Sequence, residues 1–157
     1  MKQLAKHIMQ THVVTLSPDT PLHSAQQVFY DEGIHGAPVI SEQGQLVGIL
    51  SSMDILRAAI EAREISPAQS VHFSNDLDLS HVDWESSPAD LQSRLSEALV
   101  SDAMSPEVIT TPSDTPVSEV ARLLRTNRVH RVVVVDGETL CGVISTFDLV
   151  GLLEDSA

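Results

Sequence analysis

The chain says one thing twice. Sliding the sequence by 95 positions lays Met9 on Met104, Val13 on Val108, Thr15 on Thr110, Asp19-Thr20-Pro21 on Asp114-Thr115-Pro116, His35 on His130 and Val39 on Val134. With one residue dropped in the following turn, Leu46, Gly48, Ser51 and Asp54 fall on Leu140, Gly142, Ser145 and Asp148. Identities kept in one order at a fixed offset mark a duplicated unit, and duplication constrains architecture before any local reading does. The domain reading is a first copy over 1–60, an inserted segment over 61–102 and a second copy over 103–157. A unit of this size buries only about 60% of its unfolded surface. The two copies are therefore expected to pack face to face as one domain, with a pseudo-twofold axis and two related clefts.

Each copy reads as mixed α/β (α+β), in the order strand, helix, strand, strand, helix. Lys6 to Met9 resembles the last turn of a short helix, and Val13 to Leu16 a short strand. Asp19-Thr20-Pro21 opens a helix with Asp or Thr as N-cap and Pro in the first turn. Leu22, Ala25, Val28 and Phe29 share one helical face, and Gly33 suits a left-handed cap. Ala37 to Ile40 and Leu46 to Leu50 are strands about the turn Glu42-Gln43-Gly44. The second helix starts at Ser51-Ser52-Met53-Asp54 and buries Ile55, Leu56, Ala59 and Ile60. In the second copy Val117, Val120, Ala121 and Leu124 face inward. Arg122, Arg125 and Arg128 share the outer face and its C-terminal end, where cations suit the helix dipole.

The inserted segment differs. From Ser66 to Ser87 it has no sustained period, yet it carries Val71, Phe73, Leu77, Leu79, Val82 and Trp84 among its acidic residues. A disordered linker rarely holds so many apolar residues, so a partly ordered excursion is expected. A helix near 88–100 follows, with Leu91, Leu95, Ala98 and Leu99 as its stripe.

Composition excludes several functions. A formal charge of -13 argues against nucleic acid, whose phosphates require a basic surface, and against an anionic membrane. One cysteine, Cys141, permits no disulfide within the chain and reads as a small buried hydrophobe. The start lacks the apolar core of a signal peptide, and no run approaches membrane-spanning length, so a cytoplasmic protein is expected. His7, His12, His23, His72 and His81 show no metal-ligand spacing. No nucleophile–base pair or glycine-rich phosphate loop stands out, so an enzyme is not expected.

The chemistry gathers where each copy's last strand meets its last helix. Ser51 with Asp54, and Ser145 with Asp148, place a hydroxyl, a carboxylate and backbone N–H groups at one helix start, where a small polar ligand can be held. Read structurally, each pair is a capping box. The two uses coexist if one cap oxygen serves the helix and another the ligand.

Taken together and twice, these marks resemble a pair of CBS motifs, the tandem ligand-binding module named after cystathionine β-synthase. They are Met9 with Val13-Val14-Thr15, then Asp19-Thr20-Pro21, Ile34-His35-Gly36-Ala37-Pro38-Val39-Ile40 and Gly48-Ile49-Leu50-Ser51-Ser52-Met53-Asp54. The second copy offers Met104 with Val108-Ile109-Thr110, Asp114-Thr115-Pro116, Val129-His130-Arg131-Val132 and Gly142-Val143-Ile144-Ser145-Thr146-Phe147-Asp148. The match leaves out the inserted segment.

The resemblance implies two βαββα motifs, a pairing of modules into a flat homodimer, and clefts that bind AMP, ADP, ATP or S-adenosylmethionine, with no required cofactor. It implies ribose hydroxyls on Asp54 and Asp148, phosphate or ribose oxygen on Ser51 and Ser145, and Thr15 and Thr110 near the base. It further implies one cleft combining Thr15, Ile34 and His35 with Arg131, Val143, Ser145 and Asp148. The other would combine Thr110, Val129 and His130 with Gly36, Ile49, Ser51 and Asp54. An aliphatic slot between Ile34-His35-Gly36-Ala37 and Val129-His130-Arg131-Val132 suits a flat purine. Arg131 has Gly36 as its counterpart, so the two clefts are expected to be unequal, with Arg131 meeting phosphate or else pairing with an acid. The expected function is a regulatory adenosyl-ligand sensor acting on an unidentified protein. Its rival is a ligand-free dimerisation or scaffold module.

Overall fold

A computed structural model describes residues 3–64, 93 and 95–154, the side chains of 61–64 excepted. The element order is α1 (Ala5–Ile8), α2 (Leu22–Glu32), β1 (Gly36–Ile40), β2 (Leu46–Ser51), α3 (Ser52–Glu64), α4 (Val100–Ala103), β3 (Thr110–Thr111), α5 (Val117–Asn127), β4 (Arg131–Asp136), β5 (Thr139–Ser145) and α6 (Thr146–Glu154). This is the expected βαββα order, twice. The first strand of each copy is shorter than its apolar run predicted. In copy one it is a single parallel bridge from Leu16 to Val39. In copy two it is the pair Thr110–Thr111, lying parallel to β4.

The chain divides into two compact units. The first comprises Met1–Ser17, Ala37–Ile49 and Ser105–Ala157; the second comprises Pro18–Gly36 and Leu50–Met104. In the first unit β3, β4 and β5 form a sheet in that order. Strand β4 pairs antiparallel with β5 from Arg131↔Ser145 to Val134↔Gly142, and the register then shifts so that Val135 faces Leu140. Cys141 is the extra residue of this bulge. It is half-buried rather than buried, with its Sγ 3.5 Å from Asp136 Oδ2. Apolar surroundings hold its thiol above the ordinary range, which keeps it a poor nucleophile. The run of β-branched residues in β4 supplies the core: Val132, Val134 and Ile144 pack with Val120, Leu124 and Ala5. In the second unit Leu22, Ala25 and Phe29 of α2, Leu50 of β2, and Ile55 and Ala59 of α3 are buried, and α2 lies against α3. Leu56, expected inside, is 39% exposed.

Each helix that follows an Asp-Thr-Pro starts without a side-chain cap. Pro21 and Pro116, not the expected Asp or Thr, are the N-caps, and neither makes a side-chain hydrogen bond. The unsatisfied N–H groups of a helix start are met from elsewhere. In the first unit Val117 N donates to Gln3 O at 3.0 Å, while Ala5 N and Lys6 N donate to Thr115 O and Ser113 O at 2.8 and 2.9 Å. In the second unit, with the copies exchanged, Leu22 N donates to Ala98 O at 2.9 Å, while Val100 N and Ser101 N donate to Thr20 O and Pro18 O at 2.8 and 2.9 Å. Every residue in the second set lies 95 positions after, or 95 before, its counterpart in the first. This use explains a departure from the expected 88–100 helix. Residues 95–97 are helical, but Ala98 and Leu99 leave the helix, and Leu99 bridges Pro21 in extended conformation. Leu95 is buried as expected, whereas Leu91 and the excursion over 66–87 lie outside the described residues.

Gly33 ends α2 at φ 64°, as its sequence position predicted; the equivalent residue ending α5 is Arg128, at φ 53°. Left-handed backbone costs a side-chain-bearing residue about 1–2 kcal/mol, and glycine gives back about 0.5–1 kcal/mol through unfolded-state freedom. Arg128→Gly should therefore stabilise the chain by about 0.5–1 kcal/mol, read as a higher urea midpoint at unchanged m-value; an unchanged or lower midpoint would contradict the strain.

Candidate functional site

In the first unit, strand β5 ends at Ser145 and α6 begins at Thr146. Asp148 Oδ2 accepts from the Ser145 N–H at 2.6 Å and from the Ser145 hydroxyl at 2.8 Å, and the Asp148 N–H donates back to Ser145 Oγ at 3.3 Å. The Thr146 N–H donates to the His130 carbonyl at 3.1 Å. The N–H groups of 145, 146 and 148 are thus already engaged, and the free amides expected at this helix start are mostly spent. What remains available is Asp148 Oδ1, whose partner is the Nε2 of Gln10 at 2.9 Å. Gln10 itself is fixed by a pair of backbone bonds to Val143, at 2.9 and 3.1 Å. That approach requires Gly142, because a Cβ there would lie 2.8 Å from the Gln10 carbonyl oxygen.

Arg131 stands directly opposite Ser145 in the sheet register, a spacing of about 4.5–5.5 Å between Cβ atoms. Among the described residues it makes no ion pair, so the expected alternative of pairing with an acid is not realised there. Burial lowers its guanidinium from the ordinary range. Among the described residues no charged partner compensates the hydration this half-buried cation has lost.

The second unit repeats the arrangement with different charges. Asp54 Oδ2 accepts from the Ser51 N–H and hydroxyl, each at 2.8 Å, and the Ser52 N–H donates to the His35 carbonyl at 2.9 Å. Here Asp54 Oδ1 faces Arg57 Nη1 at 3.3 Å, with side-chain exposures of 13% for Asp54 and 43% for Arg57. The position equivalent to Arg57 is Gly151, and that equivalent to Arg131 is Gly36. The copies have placed one cation each, on the helix in one case and on the strand in the other.

The structure thus brings together Arg131, Ser145, Asp148 and the backbone of His130 in one unit, and Ser51, Asp54 and the backbone of His35 in the other. Thr15 and Thr110 are exposed, as are the side chains of His35 and His130. Ile34 and His35 line a 340 Å³ cavity between α2 and α3, with Phe29, Ser52, Ile55 and Leu95. Val129 is half-buried against the first unit's core. Ala37 and Val132, expected in a purine slot, are both buried in the core, so neither forms an open wall for a ligand. Two neighbours of the carboxylates escaped the sequence reading. Arg57 was detectable, lying three residues after Asp54 on one helix. Gln10 lies 138 positions from Asp148, and no local spacing points to it. Among the described residues no cluster of His, Cys, Asp or Glu could hold a metal, and no helix is long and apolar enough to cross a membrane.

Comparison with known proteins bears on family and fold. The CBS domain model matches residues 5–61 and 100–155. An uncharacterised protein of Methanocaldococcus jannaschii is 30% identical, across 96% of this chain and 90% of its own. A CBS domain-containing protein of Dictyostelium discoideum is 28% identical, across 98% of this chain and 92% of its own. Among solved structures, the CBS domain pair of protein MJ0100 in complex with 5′-methylthioadenosine and S-adenosyl-L-methionine superposes with a TM-score of 0.75 at 21% identity, covering 100% of both chains. CBSX2 in complex with AMP, a protein of Arabidopsis thaliana, gives a TM-score of 0.70 at 21% identity, covering 98% of each. At these identities the structural matches speak for the fold.

The hydroxyl of Ser145 is both donor to Asp148 and acceptor at the helix start. Ser145→Ala should cost about 1 kcal/mol of stability, the usual value of an N-terminal cap. Equilibrium unfolding measures this, and a cost near zero would show that the box does not hold the start of α6.

Proposed function

The chain belongs to the CBS domain family, and from that premise we propose that it is a non-catalytic regulatory module that senses an adenosyl ligand, with a phosphorylated one such as AMP preferred at the second copy. The observation that carries this is the half-buried Arg131, without an ion pair among the described residues, facing Ser145, one helical turn from Asp148. A cation in that state gains most from an anion that replaces its lost water, and a guanidinium takes phosphate bidentately. The carboxylate Oδ1, left over from the cap, accepts a ribose hydroxyl, so the two ends of a nucleoside monophosphate find opposite charges. The first copy offers a carboxylate already paired with Arg57, and Gly36 where the second copy has Arg131, which makes it the weaker partner for phosphate. Support comes from the CBS domain pair bound to 5′-methylthioadenosine and S-adenosyl-L-methionine and from CBSX2 bound to AMP. A cytoplasmic location suits such a ligand.

The test is thermal or chemical unfolding with AMP and with adenosine. AMP at a hundred times its dissociation constant should add about 2.7 kcal/mol. Arg131→Gln should weaken AMP by about tenfold or more, while adenosine, lacking phosphate, should stabilise both proteins alike. No stabilisation of the natural chain by any adenosyl compound would remove the sensor reading. Equal AMP effects on both proteins would remove Arg131 from it.

An association surface accompanies the sensor. Phe147, Val150 and Leu153 of α6 are 84%, 54% and 71% exposed at spacing three, and Met53 and Leu56 occupy the equivalent places on α3. We assign this stripe to a homodimer contact, because exposed aliphatic and aromatic residues in register on one helix are costly to leave in water. Phe147→Asp should convert a dimer into a monomer in sedimentation velocity without unfolding it; a natural chain that sediments as a monomer would refute the assignment.

A further inference from the structure

Counting acceptors at Asp148 assigns a role to a residue far away in sequence. A carboxylate oxygen has two lone-pair sites. Asp148 Oδ2 spends both, on the Ser145 N–H and the Ser145 hydroxyl. Oδ1 spends one on Gln10 Nε2 at 2.9 Å, which leaves a single site. A vicinal diol brings two O–H donors and needs two adjacent acceptors. The second is already beside the first. With Gln10 Nε2 committed to Oδ1, the amide plane sets Gln10 Oε1 next to it, and among the described residues nothing donates to that oxygen. The orientation of the amide is settled by chemistry, because only its nitrogen can donate to a carboxylate. Its position is settled by the double backbone bridge to Val143 at 2.9 and 3.1 Å, allowed by the missing side chain at Gly142.

We propose that Gln10 is a ribose-reading residue, with one hydroxyl of the ligand's diol donating to Asp148 Oδ1 and the other to Gln10 Oε1. This rests on the adenosyl reading above. The first copy lacks the device. Ser105 stands where Gln10 would, and the oxygen equivalent to Asp148 Oδ1 faces the donor Arg57 Nη1 at 3.3 Å. A diol there meets one acceptor and a competing donor. Diol recognition therefore belongs to the second copy's half-site, the same one that carries the unpaired Arg131, so ribose and phosphate are read together.

The experiment is calorimetric titration of the full chain and of Gln10→Ala with AMP, 2′-deoxy-AMP and 3′-deoxy-AMP. The natural chain should prefer AMP over each deoxy form by about tenfold, the worth of one hydrogen bond to a charged or well-placed acceptor. Gln10→Ala should lose about tenfold for AMP and bind one of the two deoxy forms as tightly as the natural chain does. An AMP affinity unchanged by Gln10→Ala overturns the proposal. So does an equal loss for all three ligands, which would make Gln10 a mere support for Asp148. Failure of the natural chain to bind any of the three removes the adenosyl reading itself, and this inference with it.

Discussion

Three backbone hydrogen bonds, made once in each compact unit, are what the rest of the structure depends on. A helix start leaves N–H groups without partners, and Pro21 and Pro116 have no side-chain donor or acceptor to offer. The partners come from the leading segment of the other copy: Gln3 for Val117, Ala98 for Leu22. In return Ala5 and Val100 find carbonyls at Thr115 and Thr20, and both are fully buried. Neither copy satisfies its own main helix, so duplication here is a condition of closing the backbone account rather than an addition to a finished unit.

This explains which parts of the molecule were legible in sequence. The repeat, the order of elements and the apolar faces of α2 and α5 were legible because they follow from periodicity that tertiary context reinforces. So was the Ser-Asp box, with one carboxylate oxygen for the helix and the other left over. The caps were misread because Asp19 and Thr20 are good N-cap residues by propensity, while the acceptor that wins is a carbonyl from another stretch. The first strands shrank because Leu16 and Thr110–Thr111 have only one pairing neighbour each among the described strands. Ala98 and Leu99 fit a helical stripe, yet an extended bridge to Pro21 uses their backbone better. Gln10 was invisible for a related reason: its contact with Asp148 depends on a backbone approach that only a glycine permits.

The copies have diverged by moving charge, not by changing shape. Gly36 and Arg57 in one correspond to Arg131 and Gly151 in the other, and Ser105 corresponds to Gln10. In the first copy the cation sits beside the carboxylate and the pair is internally balanced, worth about 0–1 kcal/mol where it is half-exposed. In the second the cation is on a strand, and among the described residues it has no counter-charge. The same backbone therefore carries two different charge arrangements.

The interleaving of segments also sets an order in time. The three bonds at the second unit's helix start lie between Pro18 and Ser101, so they can form while the following residues are still being made. Those of the first unit cannot. Its helix α1 and the residue that reaches Asp148 are synthesised first, yet their partners, from Ser113 to Asp148, come last. Contacts of that separation carry a large loop-closure cost and slow the final step. Until that step Ala5, Ile8 and Met9 have no core to join. A ligand of the proposed kind, needing Gln10 and Asp148 together, would report that two stretches 138 positions apart have met.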